Sequence, residues 1–456
     1  MSKDFGQLNV RFMILLVAVL LLAIFVGRSI TKLPPLTPAI AVAGIIICLI
    51  TLVRTDLGLI VLIFSMLLSP EFELAQLPNR AVVVRVDDIL LMVVFFTWLA
   101  KVAIRKEWGL LKHTPLNLPI ALYVAACLLF TGKGIIVGEV SPIASSFYLL
   151  KYIEYFMLYF MFSNNIRSQK QMKIFIIAFL ITGAIICAYT STQIGSLSRT
   201  TAPFEGPGGE ANTLAGYLLL LFGVTAGLFL YNRSPIRGVL LGVLACFIVP
   251  SFLFSLSRGG YIGFICMYLT LMILSRRKKL LLISILALAT LFGPLILPAR
   301  VINRVTSTFI PGKEYEVFGG RLALDWSSAQ RVEAWKRLFG RWQKRPIFGY
   351  GVTGVGLVDN QYARILGEVG AIGFLIFTWL MVTIFRNGLR IFRTIEDDYF
   401  KGLTLGFLAG FVGLLVQGLT GNVFIIVRIM GPFWFLAAVI MMLPMIIEEE
   451  QVERTK

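Results

Sequence analysis

Long apolar runs broken by short polar stretches recur along the whole chain. A helix needs about 20 predominantly apolar residues to cross the hydrocarbon core of a bilayer. Runs near that length fall at 10–27, 36–53, 55–70, 87–104, 117–136, 145–163, 173–191, 213–231, 238–256, 259–275, 279–297, 366–386, 402–420 and 425–446. The pattern predicts an all-α fold, a polytopic integral membrane protein with about 14 (12–14) transmembrane helices. The third run is short enough for a re-entrant segment. The first lacks a small-residue cleavage site near Val26–Gly27 and reads as a retained anchor.

The polar stretches between the runs set an orientation, because short cytoplasmic loops are enriched in lysine and arginine. Alternate loops carry Lys101, Arg105, Lys106 and Lys112, then Arg167 and Lys170, then Arg233 and Arg237. The next carry Arg276, Arg277, Lys278 and Lys279, then Arg390, Arg393 and Lys401. This alternation puts both termini in the cytoplasm. One connection stands apart: residues 298–365 form a loop far beyond usual connection lengths, outward-facing by parity, and such loops are commonly functional. The expected organisation is a transmembrane region over 1–297, this large loop over 298–365, C-terminal transmembrane helices over 366–446 and a solvated tail over 447–456. Within the loop, Val332, Trp335, Leu338, Phe339 and Trp342 recur at helical spacing, so Trp326–Arg345 reads as an amphipathic helix suited to a headgroup layer. Ser327 with Gln330 has the form of a capping box, and Pro346 ends the pattern. A second outward segment, 192–212, carries Arg199 and Glu205-Gly206-Pro207-Gly208-Gly209-Glu210.

Composition agrees with a membrane location: 58% of the 456 residues are hydrophobic and 14% charged, against about 25% charged in soluble domains. The formal net charge of +18 belongs to cations lying between apolar runs, so it points to orientation and anionic lipid headgroups, not to nucleic acid. Five cysteines lie in apolar runs without a Cys-x-x-Cys pair, and the outward loops hold no Asp-x-Asp motif, so neither a metal nor another cofactor is expected. There is one histidine, His113, in a loop assigned to the cytoplasm.

Outward arginines run against the positive-inside bias and are therefore informative. Ser257-Arg258-Gly259-Gly260 joins two runs with hardly any loop, which sets Arg258 at the outer membrane boundary, where a cation is tolerated if it faces a polar cavity or an anion. A second constellation runs from Arg331 and Trp335 through Pro346 and Gly349-Tyr350-Gly351 to Asp359-Asn360, Glu368, Gly370 and Gly373. A glycine-rich turn and a polar pair at the top of a helix suit an oxyanion or phosphate. Structural roles compete: Glu368 follows Arg364 at ion-pair spacing, Asp359 suits a helix cap, and Gly370 with Gly373 suits helix packing.

These motifs, over about 255–375, resemble the O-antigen ligase and polymerase family, and the multi-helix layout with a long loop before a late helix extends the likeness loosely to the whole chain. The resemblance implies glycan transfer from an oligosaccharide on undecaprenyl pyrophosphate at the outer face of the inner membrane. In the family's ligases a histidine followed by Asn, Ser or Gln precedes nine residues and then Gly-x-x-Gly. Here Asn360, nine residues, Gly370 and Gly373 keep that frame, but Asp359 holds the histidine position. A ligase that activates its acceptor with that histidine cannot be built from this sequence, which favours the polymerase branch. On this reading Arg258 and Arg331, with Arg199, Tyr350 and Asn360, bind pyrophosphate, while Asp359 or Glu368 orients or deprotonates the acceptor hydroxyl. Expected partners are the lipid-linked oligosaccharide, membrane lipids and a chain-length regulator. The alternatives are a ligase or O-oligosaccharyltransferase with another base, and a lipid-linked-oligosaccharide transporter, against which stands the absence of an internal repeat.

Overall fold

The structure, a computed structural model, describes residues 49–51, 54–77, 80–105, 111–195, 199–204, 209–307, 313–317, 320–324, 326–356 and 358–455. The runs at 10–27 and, apart from 49–51, 36–53 lie outside these residues, as do Glu205–Gly208 and the side chain of Ser327. Every other expected run becomes a helix. In chain order they are α1 (Thr55–Leu68), α2 (Val86–Arg105), α3 (Asn117–Ile136), α4 (Pro142–Asn165), α5 (Gln169–Ser191) and α6 (Ala211–Tyr231). There follow α7 (Pro235–Phe254), α8 (Arg258–Leu274), α9 (Lys279–Ile296) and, after the large loop, α12 (Gln361–Thr394), α13 (Asp398–Gln417) and α14 (Val427–Thr455). Among the described residues eight helices are long and apolar enough to cross a membrane. With 14 residues, α1 reaches only about 21 Å.

Three features depart from the expectation. The helical fold carries two antiparallel hairpins: β1 (Glu71–Leu77) pairs with β2 (Arg80–Arg85), and β3 (Lys313–Val317) with β4 (Gly320–Leu324). The large loop is itself structured, by α10 (Ala299–Thr306), the second hairpin and α11 (Trp326–Trp342), and α12 starts five residues before the apolar run does. Gln361, Arg364 and Glu368 broke the hydropathy pattern because they are buried against protein, not lipid. Finally, the solvated tail 447–455 is helical and mostly exposed. It continues α14, and Glu450 accepts hydrogen bonds from the backbone N–H (2.8 Å) and side-chain amide (2.9 Å) of Gln169, the first residue of α5. A carboxylate is stabilised at such a helix N-terminus.

The helices nearest the loop pack through glycine. Lipid gives apolar helices no hydrophobic reason to associate, so close contact needs small residues that let backbones meet. A Cβ added to Gly223 of α6 would lie 2.7 Å from the Gly406 carbonyl of α13, and one on Gly402 2.6 Å from that of Gly227. On α8 a Cβ at Gly263 would lie 2.7 Å from the Gly413 carbonyl. Thus α13 is gripped by α6 and α8 along its length. On the other side α4 meets α14 through an aromatic cluster in which Tyr155, Phe156 and Tyr159 surround the fully buried Trp434 at 4.9–6.3 Å between ring centroids. The periphery is the reverse: Leu280 and Leu295 of α9 are each 81% exposed, as a lipid-facing helix requires.

Replacing Gly406 or Gly223 by leucine is expected to force α6 and α13 apart and to cost about 1–3 kcal/mol or more. Thermal unfolding in detergent checks this, with Gly340→Ala as control, since a Cβ at Gly340 meets nothing within 4 Å. A leucine variant as stable as wild type would refute the glycine contact.

Candidate functional site

The site is built around a break in α12. Asn360 caps the helix: its backbone is extended and its Oδ1 accepts from the Tyr362 and Ala363 N–H groups, both at 3.0 Å. The helix runs to Val369, breaks at Gly370 (φ 65°, ψ −170°), then resumes. A break leaves carbonyls without donors on one side and N–H groups without acceptors on the other. Residues 346–351 supply both. The Tyr350 and Gly351 N–H groups donate to the carbonyls of Gly367 (3.1 Å) and Glu368 (2.8 Å), while Ala371 and Ile372 donate to those of Pro346 (2.8 Å) and Ile347 (3.3 Å). The strap lies so close that a Cβ on Gly349 would sit 2.6 Å from the Glu368 carbonyl, and Gly349 and Gly351 both adopt positive φ. The Gly-Tyr-Gly motif therefore spends two amides on the broken helix and that of Gly349 on the Arg345 carbonyl (3.2 Å), not on a phosphate.

Beside this strap a cavity of about 1030 Å³ opens between α11, the start of α6, Ser257 ahead of α8, Asp359, Tyr148 of α4 and the 420–426 connection. Arg331 and Asp359 both line it, with the Arg331 Nε 3.8 Å from a carboxylate oxygen of Asp359. Asp359 is 61% exposed, whereas the Arg331 Nε is buried and makes no hydrogen bond among the described residues. Arg199 also lines it, and its Nε donates to the Ser255 carbonyl (2.9 Å) and its Nη2 to Asn212 Oδ1 (3.3 Å). The same Asn212 oxygen accepts from the Ser257 hydroxyl (2.8 Å), whose oxygen caps α8 by accepting from the Gly260 N–H (3.2 Å). Arg258, the first residue of α8, follows directly. Burial holds the Arg199 guanidinium below its ordinary pKa, and the charges of Arg304, Arg258 and Arg331 lower it further. Arg199 thus feels three arginines from distant parts of the chain, and a positive local field of this kind favours an anion.

The structure does not bring every expected residue here. Glu368 is 2% exposed, pairs with the Arg364 Nε at 2.9 Å, and accepts from the Thr353 N–H (2.9 Å) and the Tyr152 hydroxyl (3.3 Å). Tyr350 donates its hydroxyl to the Arg341 carbonyl (2.8 Å) under the guanidiniums of Arg341 and Arg345, away from the cavity. The Asn360 side chain is occupied as cap and by donation to the Leu419 carbonyl (3.0 Å). Sequence reasoning missed Arg304, whose Nε donates to the Leu256 carbonyl (3.2 Å), and missed Asn212 and Tyr148. For Arg304 the signal was present, since it too is an arginine of the large loop.

His113 lies beside Lys112, which donates to Asn164 (2.8 Å) and to the Ile166 carbonyl (2.9 Å) at the far end of α4. Tyr148, on the cavity, is 16 residues of helix away, roughly 24 Å at 1.5 Å per residue. The carboxylates that do gather, Asp87, Asp88 and Glu154, enclose the chain's own cations: Arg85 lies 3.0 Å from Asp87, and Lys151 bridges Asp88 and Glu154.

Residues 250–378 match the O-antigen ligase family. The matched segment starts just before α8, takes in the large loop with Arg304, Arg331 and Asp359, and ends past the Gly370 break. The O-antigen ligase family is one of membrane enzymes acting on lipid-linked oligosaccharides, so the motif resemblance and the family model agree on the same stretch of chain. No curated protein matches the chain.

Two carboxylates of this matched segment separate by environment. Glu368→Ala would leave Arg364 buried and unpaired and is expected to destabilise by about 3–5 kcal/mol, whereas Asp359→Asn, at an exposed position, should leave the unfolding temperature unchanged. Thermal ramps of the two purified variants test the contrast, and a fully stable Glu368→Ala protein would overturn the structural assignment.

Proposed function

We propose that the protein polymerises undecaprenyl-pyrophosphate-linked oligosaccharide repeat units, for an O-antigen, capsule or exopolysaccharide, at the outer face of the bacterial inner membrane. The observation that carries this reading is the cavity in which Arg331 stands 3.8 Å from Asp359 within reach of the field of Arg199 and Arg258. In the reaction the bond from sugar C1 to the pyrophosphate oxygen breaks and an acceptor hydroxyl oxygen forms a new bond to C1. The bonding electrons leave with the pyrophosphate. Arg258, Arg331 and Arg199 hold that charge, since guanidinium forks match phosphate oxygens in bidentate geometry. Asp359 takes the hydroxyl proton, a role typically worth about 10²–10⁴ in rate. Charge bias in the loops supports a cavity facing the periplasm with both termini in the cytoplasm, and a chain-length regulator is the expected protein partner.

The family match itself favours a second reading, transfer of finished glycan to lipid or protein as a ligase. Polymerisation is preferred because the chain's single histidine lies far from the cavity, so ligation would need another base.

Reconstitution in liposomes with a matched undecaprenyl-pyrophosphate repeat unit and no other acceptor is expected to give a ladder of multiples on a gel. Arg331→Ala and Arg258→Ala should slow it by about 10²–10³, the scale on which one oxyanion-stabilising donor counts. Asp359→Asn should slow it comparably. Consumption that begins only when a lipid A core or a protein acceptor is added would establish ligation instead, and inertness under both conditions would favour transport.

A further inference from the structure

Tyr148 is the one aromatic side chain among the described residues lining the cavity, whose wall is otherwise charged, amide, hydroxyl or small and aliphatic. Its ring is flanked by a buried cation. The guanidinium carbon of Arg364 lies 6.0 Å from the ring centroid, at the outer limit of a cation–π contact, and Arg364 is 2% exposed. Arg364 is itself immobilised through Glu368, which the Thr353 N–H and the Tyr152 hydroxyl fix from two directions. Tyr152 sits one turn beyond Tyr148 on α4, so ring and ion pair share a scaffold. Phe147 closes the side of the ring edge-on at 6.1 Å.

The ion pair is not arranged for stability alone. A buried pair is stabilising only when its remaining protons and lone pairs are satisfied, yet the Arg364 Nη1 is buried and makes no hydrogen bond among the described residues. Among the described residues the cavity wall itself also has polar atoms left over, including Arg331 Nε, Gln417 Oε1 and Asn422 Oδ1. Asn422 donates its amide to the Val358 carbonyl (2.7 Å), while its Oδ1 is buried and accepts no hydrogen bond among the described residues. An aromatic face and an open amide acceptor suit a ligand with an apolar C–H face and a rim of hydroxyl donors. A neutral pyranose ring has both, and a pyrophosphate, with neither, belongs with the arginines.

We propose that Tyr148 is a stacking platform for a sugar ring of the substrate, with Asn422 accepting from a ring hydroxyl and Arg364 acting as the positioning residue that sets the plane of the platform. This rests on the glycan-transfer reading and adds to it a neutral-sugar subsite. Arg364 touches no substrate; it acts through Tyr148.

The test separates binding from chemistry. The probe is oligosaccharide released by mild acid from the producing cell's own lipid-linked pool and freed of phosphate, titrated calorimetrically into the full-length protein in detergent. Tyr148→Leu is expected to weaken binding about tenfold, and Tyr148→Phe to stay within about twofold of wild type. In the transfer assay Tyr148→Leu should raise KM by a similar factor at nearly constant kcat. Arg364→Met should reproduce that split and Arg364→Lys should restore it, which a general loss of folding would not do. Should the leucine variant unfold, Tyr148→Trp replaces it, its added emission expected to shift as the glycan binds. Equal affinity of wild type and Tyr148→Leu, an unchanged Tyr148→Trp emission, or no binding by wild type overturns the platform. Tyr148-dependent binding without any transfer leaves the platform standing and overturns the transferase reading instead.

Discussion

A backbone that leaves helical geometry in an apolar setting must find partners for the hydrogen bonds it gives up, and this constraint organises the molecule. Non-helical backbone at membrane depth is tolerated only where protein or a polar cavity surrounds it. The break at Gly370 meets the condition because residues 346–351 return the lost bonds one for one, donating to Gly367 and Glu368 and accepting from Ala371 and Ile372. The short first half of α12 points its cap, and so Asp359, at α11, and the strap ties the large loop to the helix it precedes.

Charge is distributed on the same plan. The buried Arg364–Glu368 pair and the arginines around Arg199 differ in satisfaction. Glu368 accepts from three donors and is spent as a structural anchor. Arg258, Arg304 and Arg331 each act on Arg199, and the carboxylate beside Arg331 is an exposed one. The positive field those arginines set up around Arg199 favours an anionic ligand.

Rigid support for that arrangement comes from α13, gripped by α6 through Gly223, Gly227, Gly402 and Gly406 and by α8 through Gly263 and Gly413. Because α6 begins at Asn212's turn, α8 opens with Arg258, and α13 ends at Gln417, whose amide donates to the Asn212 carbonyl (2.9 Å), the glycine contact and the cavity share the same three helices. Backbone-to-backbone packing holds those helix ends in a fixed relation without relying on long side chains.

The apolar pattern alone determined the membrane location and nearly every described helix, since hydropathy over about 20 residues is a local property that a bilayer reads directly. Motif spacing alone also marked the stretch that carries Arg258, Arg331 and Asp359. What the pattern could not settle was which polar residues are spent inside the fold. Glu368, Tyr350 and Asn360 looked as reactive as Asp359, and only the packed structure gave them partners: an arginine, a carbonyl, a helix start. The four-residue glycine spacing of α13 was visible but mute until α6 lay against it, and Arg304 came near Arg199, and Tyr148 joined the cavity, only through contacts between segments far apart in sequence. Local hydrophobicity specifies elements. Satisfaction of polar groups is a long-range property, and tertiary structure alone decides which of them are left over for chemistry.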